Sequence, residues 1–162
     1  MIIVRKEDHR AAERIERIFH ECLPLLKKHY EIDFSRLEVN IREDEPSVSG
    51  MTFFIDDTGM SICRLNCIRN RSTLEIVKTI GHEFTHLEQF ATKQVQYHGA
   101  DSILWNGKVV KLHDSDENYN LYYFQPWEIA ARRRADEFVM HFIRSRQSFI
   151  SRLWLRILHL MR

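Results

Sequence analysis

Residues 79–90 read TIGHEFTHLEQF, with two histidines four positions apart and a glutamate directly after the first. On an α-helix, residues four apart stack one turn above each other, so His82 and His86 face the same way and their imidazoles can share one metal ion. Glu83 is rotated by about 100° and lies beside them. Two neutral nitrogen ligands and a carboxylate that can reach water without occupying the metal are what a hydrolytic zinc centre needs. This makes Glu83 the candidate general base.

The flanking residues place the motif inside a helix. Ser72 and Glu75 have the spacing of a capping box, and the apolar positions Leu74, Val77, Ile80, Phe84, Leu87 and Ala91 recur at helical spacing. Gly99 is the predicted stop. Gly81, just ahead of the first histidine, leaves room for another backbone to come close.

Upstream, Asp8 is placed to cap a helix with Ala12, Ile15, Phe19, Cys22, Leu23 and Leu26 on one side, running to about Tyr30. Pro24 predicts a kink or split near Leu23. Three strand-like runs follow, LEVNI (37–41), MTFFI (51–55) and MSICRL (60–65), with DDTG as the turn between the last two. They are expected to form a small meander on the first helix, with MSICRL at its edge. Such an edge suits a peptide substrate added as a further strand.

Downstream, ILWNGKVVKL reads as a hairpin turning at Asn106 and Gly107. The acidic, tyrosine-rich stretch HDSDENYNLYYFQ (113–125) reads as a loop, and Pro126 opens the helix PWEIAARRRADEFVMHFIRSR. SFISRLWLRILHLMR (148–162) reads as one more amphipathic helix, basic and without an acid. It suits contact with a membrane surface or a partner, or docking on its own domain.

Composition bounds the rest. With 44% apolar and 29% charged residues the chain is an ordinary folded protein, expected to form a single domain over 1–162 with its core in 1–146. A net charge of +1 gives no nucleic-acid footprint. The N-terminus turns charged after three apolar residues and no run approaches a membrane span, so the protein reads as cytosolic. Cys22, Cys63 and Cys67 form an odd set without CxxC spacing, as expected for reduced thiols.

Two histidines leave a zinc ion short of a third protein ligand. His98, His113, Glu128, Asp136, Glu137 and His141 are the candidates, and Asp136 or Glu137 could instead steady a ligand imidazole. Tyr119, Tyr122, Tyr123, His113 and Arg132 are candidate donors to an oxyanion.

HEFTHLEQ followed about forty residues later by PWEIAARRRADEF resembles the small HExxH metallopeptidases of phages and prophages, gluzincin-like proteins whose PxE-x-E-A helix supplies a glutamate ligand. The likeness spans 60–142 and includes WNGK (105–108). It implies an α+β, minimal zincin-like fold, a Zn2+ cofactor held by His82, His86 and Glu128, Glu83 as general base and a peptide or protein substrate. Ala130 stands where that pattern has its second glutamate. The alternative reading is a zinc-bearing protein that binds a partner on the same scaffold without cleaving it; a third dispenses with metal and makes the basic tail the functional element.

Overall fold

Alternation sets the first layer: in LEVNIR every second side chain, Leu37, Val39 and Ile41, is buried, as a strand with one covered face requires. The computed structural model describes residues 2–6, 10–42, 50–55, 60–66, 72–99, 101–112 and 119–160, with the backbone alone at 50–55, 60, 119–120 and 148–160. The fold is mixed α+β. Strands β1 (Ile3–Lys6), β2 (Leu37–Arg42), β3 (Gly50–Ile55) and β4 (Met60–Asn66) form one sheet in the order β1-β2-β4-β3.

That order corrects the expected meander. β4 pairs in parallel with β2 and antiparallel with β3, so MSICRL is an interior strand and β3 the edge. β4 runs into the capped start of helix α2 (Thr73–Ala91), and both β3 and β4 pack against that helix. An interior position for β4 sets α2 over the sheet, where its apolar stripe is covered. β1, a short strand that turns charged after two residues, was not foreseen; it pairs in parallel with β2 across helix α1 (Arg10–His29).

α1 is not split at Pro24. Ala12, Ile15, Ile18, Phe19, Cys22 and Leu26 are buried on both sides of the proline, and that packing outweighs the one backbone hydrogen bond lost. The proposed Asp8 cap and the DDTG turn lie outside the described residues. Cys22 and Cys63 are buried free thiols, and burial pushes the Cys22 thiol up to about 12; Cys67 lies outside the described residues.

The capping box is formed: Ser72 N donates to Glu75 Oε2 at 2.6 Å and Glu75 N donates to Ser72 Oγ at 3.2 Å. α2 ends eight residues before Gly99. Thr92 caps it and Lys93 takes the left-handed conformation, φ 59°, that glycine usually supplies. The chain released there forms β5 (Val95–Tyr97), which pairs with β6 (Ser102–Trp105), and β6 with β7 (Lys108–Lys111). The β6–β7 hairpin turns at Asn106 and Gly107, both with positive φ, as predicted.

α3 (Tyr119–Tyr123) replaces part of the expected loop. Pro126 is the first residue of α4 (Pro126–Leu160), a single 35-residue helix where two were expected. No Gly or Pro stands between Arg146 and Phe149 to interrupt the backbone ladder. Among the described residues no helix is long and apolar enough to cross a membrane.

α2 and α4 lie antiparallel, and Gly81 faces Ala135 and Phe138 of α4 at close quarters. A Cβ built there would sit 3.0 Å from Phe138 Cδ1 and 3.3 Å from Ala135 Cα. Gly81→Val is expected to push the helices apart at a cost of about 2 kcal/mol, the usual scale of core overpacking, read as a lower midpoint in urea with an unchanged slope.

Candidate metal centre

α2 carries His82 and His86 on the side facing α4, and Glu128 is the third residue of α4. The three converge. His82 Nε2 and His86 Nε2 are 3.1 Å apart, His82 Nε2 lies 3.3 Å from Glu128 Oε2, and His86 Nε2 lies 3.1 Å from Glu128 Oε1. They are close enough together to hold one metal ion.

Gln89 decides which nitrogen of His86 faces the cluster. Its amide nitrogen donates to the Trp127 carbonyl at 3.1 Å, so its oxygen is left to accept from His86 Nδ1 at 2.9 Å. Neutral His86 therefore carries its proton on Nδ1, and the Nε2 lone pair points at Glu128. Gln89, 2% exposed, was missed in the sequence, where the i,i+3 spacing from His86 was its only signal. The sequence reading looked to Asp136 or Glu137 for this role. Asp136 instead pairs with Lys78 at 2.6 Å and Glu137 with Arg133 at 3.5 Å.

Glu128 is held from both sides. Tyr122 of α3 donates its hydroxyl to Oε1 at 2.8 Å, and Arg132, one turn on, is 3.8 Å from Oε2. Arg132 also donates to the Tyr123 carbonyl and stacks over the Tyr123 ring, 3.6 Å from its centroid. Of the proposed oxyanion donors, Tyr122 and Arg132 thus lie at the cluster. Tyr123 serves Arg132, while the side chain of Tyr119 and all of His113 fall outside the described residues.

Burial works against the charge on Glu128, but hydrogen bonds and charge from His82 and His86 outweigh it and hold the carboxyl well below the usual carboxylate range. Burial likewise opposes charge on His86; the hydrogen bond and charge of Glu128, the charge of Glu83 and the bond to Gln89 prevail and raise it. Burial first, then Glu128 and Glu83, push the Tyr122 hydroxyl upward. Glu83 itself is 4% exposed.

Of the other proposed third ligands, His113 lies outside the described residues, and His98 and His141 are away from the cluster. His98 is exposed in the turn after β5, and His141 stacks on His29 with ring centroids 4.1 Å apart. No family model, no curated protein and no solved structure matches this chain.

In the metal-free protein, Glu128 contributes stability above the ordinary carboxylate range, lost only as pH falls through its depressed folded value. His86 contributes below its ordinary 6.5 and loses that contribution as pH rises through its raised folded value. Metal binding has the opposite slope, because both imidazoles must be deprotonated. With chelator present, Tm is expected to fall as pH rises from 6.5 through the raised His86 value, while the Tm gain on adding a divalent metal grows. A chelated protein whose Tm climbs across that window would show that the pair is not ionised. Gln89→Leu is expected to weaken metal binding about 10–100-fold in a competition titration.

Proposed function

We propose that the chain is a zinc-dependent peptidase of gluzincin type, similar to the small HExxH enzymes of phages and prophages, on a minimal zincin-like scaffold. The convergence of His82, His86 and Glu128 carries this reading. Three lone-pair acceptors 3.1–3.3 Å apart repel unless a cation or protons lie between them. For metal–ligand bonds of 2.0–2.1 Å, the edge of a tetrahedron is about 3.3 Å. Two imidazole nitrogens and a carboxylate oxygen are also a donor set that zinc accepts in catalytic sites.

A zinc ion at this point supplies Lewis acidity, enough to polarise a carbonyl and to make water nucleophilic near neutral pH. The residues of the chain do the rest. Glu83 is one position past His82, is 4% exposed, and its charge contributes to raising His86 and Tyr122, which supports it as the base. It accepts a proton from the water as the new C–O bond forms at the carbonyl carbon, and then passes that proton to the amine nitrogen as the C–N bond breaks. Tyr122 and Arg132 keep the Glu128 carboxylate oriented.

The substrate is a peptide or protein. Strand β3 pairs with β4 along one side and is the edge of its sheet, next to α2. An extended peptide added along that edge takes main-chain hydrogen bonds that set one carbonyl relative to the metal.

Glu83→Gln keeps the size of the side chain and removes the base. Purified Glu83→Gln protein is expected to retain about one zinc per chain and to lose about 10²–10⁴-fold in hydrolysis of a fluorogenic peptide library. Full turnover by this variant would defeat the mechanism. A wild-type chain that takes up no zinc after chelation and re-addition would defeat the metal assignment.

A further inference from the structure

α4 outruns the helix it packs on. Along the antiparallel pair Trp127 meets Gln89, Glu128 meets His86, Asp136 meets Lys78 and Phe138 meets Gly81. Continued in this register, Thr73 at the start of α2 lies opposite the turn near residues 141–146 of α4. Arg146 still pairs with Glu21 of α1 at 2.6 Å. The helix then continues to Leu160, a further length of about 20 Å at 1.5 Å per residue, past the N-terminal end of α2.

The sequence of that extension differs from the rest of the chain. From Arg144 to Arg162 it has five arginines and no acid, in a protein of net charge +1. The residues that α4 buries in the body, Trp127, Ala131, Ala135, Phe138 and Phe142, form a narrow line stepping by three and four. Continued, that line passes through Phe149, Leu153, Arg156 and Leu160, so it is interrupted by a residue type poorly suited to burial against the body. Ile150, Trp154, Ile157 and Leu158 occupy helix positions to one side of the line, and Arg152 a position on the other. The apolar sector is thus broader than the body-facing stripe and rotated away from it.

We propose that residues 147–160 form an interfacial helix that lies on an anionic lipid bilayer. The helix positions of Ile150, Trp154, Ile157 and Leu158 make one apolar face, with Arg152 and Arg156 outside it, the division that a boundary between acyl chains and anionic headgroups calls for. The absence of acids selects a negatively charged surface over a neutral one. With no helix among the described residues apolar enough to cross, the segment is placed in the interface plane. Because α4 is continuous, the same helix that carries Glu128 would hold the metal centre at a fixed distance from the membrane. This inference does not depend on the peptidase reading.

The test uses the full chain, sedimented with vesicles of phosphatidylcholine alone or with about a third phosphatidylserine. Binding to the anionic vesicles only, released by high salt, is the expected result. Arg152→Gln with Arg156→Gln is expected to weaken that binding about 25-fold, roughly fivefold per charge. Tryptophan emission is expected to shift to the blue on binding, and the shift to vanish in Trp154→Phe while Tm is unchanged. Equal binding to both vesicle types overturns the proposal, as does binding to neither. It is also overturned if Trp154→Ser with Leu158→Ser lowers Tm as a core substitution does and leaves vesicle binding intact. Elution as a dimer that this double variant abolishes, without lipid binding, would assign the face to a second copy of the chain.

Discussion

The close approach of α2 and α4 at Gly81 is the constraint on which the His82–His86–Glu128 cluster depends. His82 and His86 are brought together by their own helix, since four residues are one turn. Glu128 arrives from another element, and only antiparallel packing in one register puts it opposite them. Gly81, one position before His82, sets the spacing of the helices against Ala135 and Phe138. Its carbonyl accepts from the Tyr30 hydroxyl at 2.9 Å and from the Thr85 hydroxyl at 2.8 Å, so α1 is tied to the same turn. A shift of one turn along α4, about 5.4 Å, would carry Glu128 out of reach.

Around that contact the polar groups are arranged in series. The Trp127 carbonyl fixes the Gln89 amide, the amide fixes the His86 tautomer, and the residue after Trp127 is Glu128, the candidate third ligand. The carboxylate orientation is set in turn by Tyr122 and Arg132, and Arg132 by Tyr123. A polar network inside a folded protein stabilises only when its members are satisfied. Here each bond also aims a lone pair inward, so satisfying the network and preparing the cluster are the same event.

Much of this was legible in the residues because the signals were local. A capping box, a four-residue histidine spacing, Asn-Gly in a hairpin and proline at a helix start each act within one turn of chain, and all four appear where predicted. The pairing order of the sheet was not legible. β4 sits between β2 and β3, an arrangement settled by where α2 must pack rather than by any strand's own pattern. The end of α2 was misplaced for a related reason: Lys93 takes the left-handed conformation without being glycine or asparagine. Gln89 escaped notice because a glutamine on a helix gains its meaning only from the imidazole and carbonyl that the fold brings to it.

The same geometry makes the cluster a fastening as well as a site. Two of its donors are preorganised on α2, while the third is recruited only when α4 is docked, so a bound cation favours the docked state by the mass-action term of its affinity. Without metal, a proton shared between His86 and Glu128 can serve in its place, which accounts for a raised imidazole beside a depressed carboxyl. The two occupants then compete for one set of lone pairs. Acid would favour the proton and neutral pH a metal, while Gly81, Gln89 and Tyr30 join the helices independently of either.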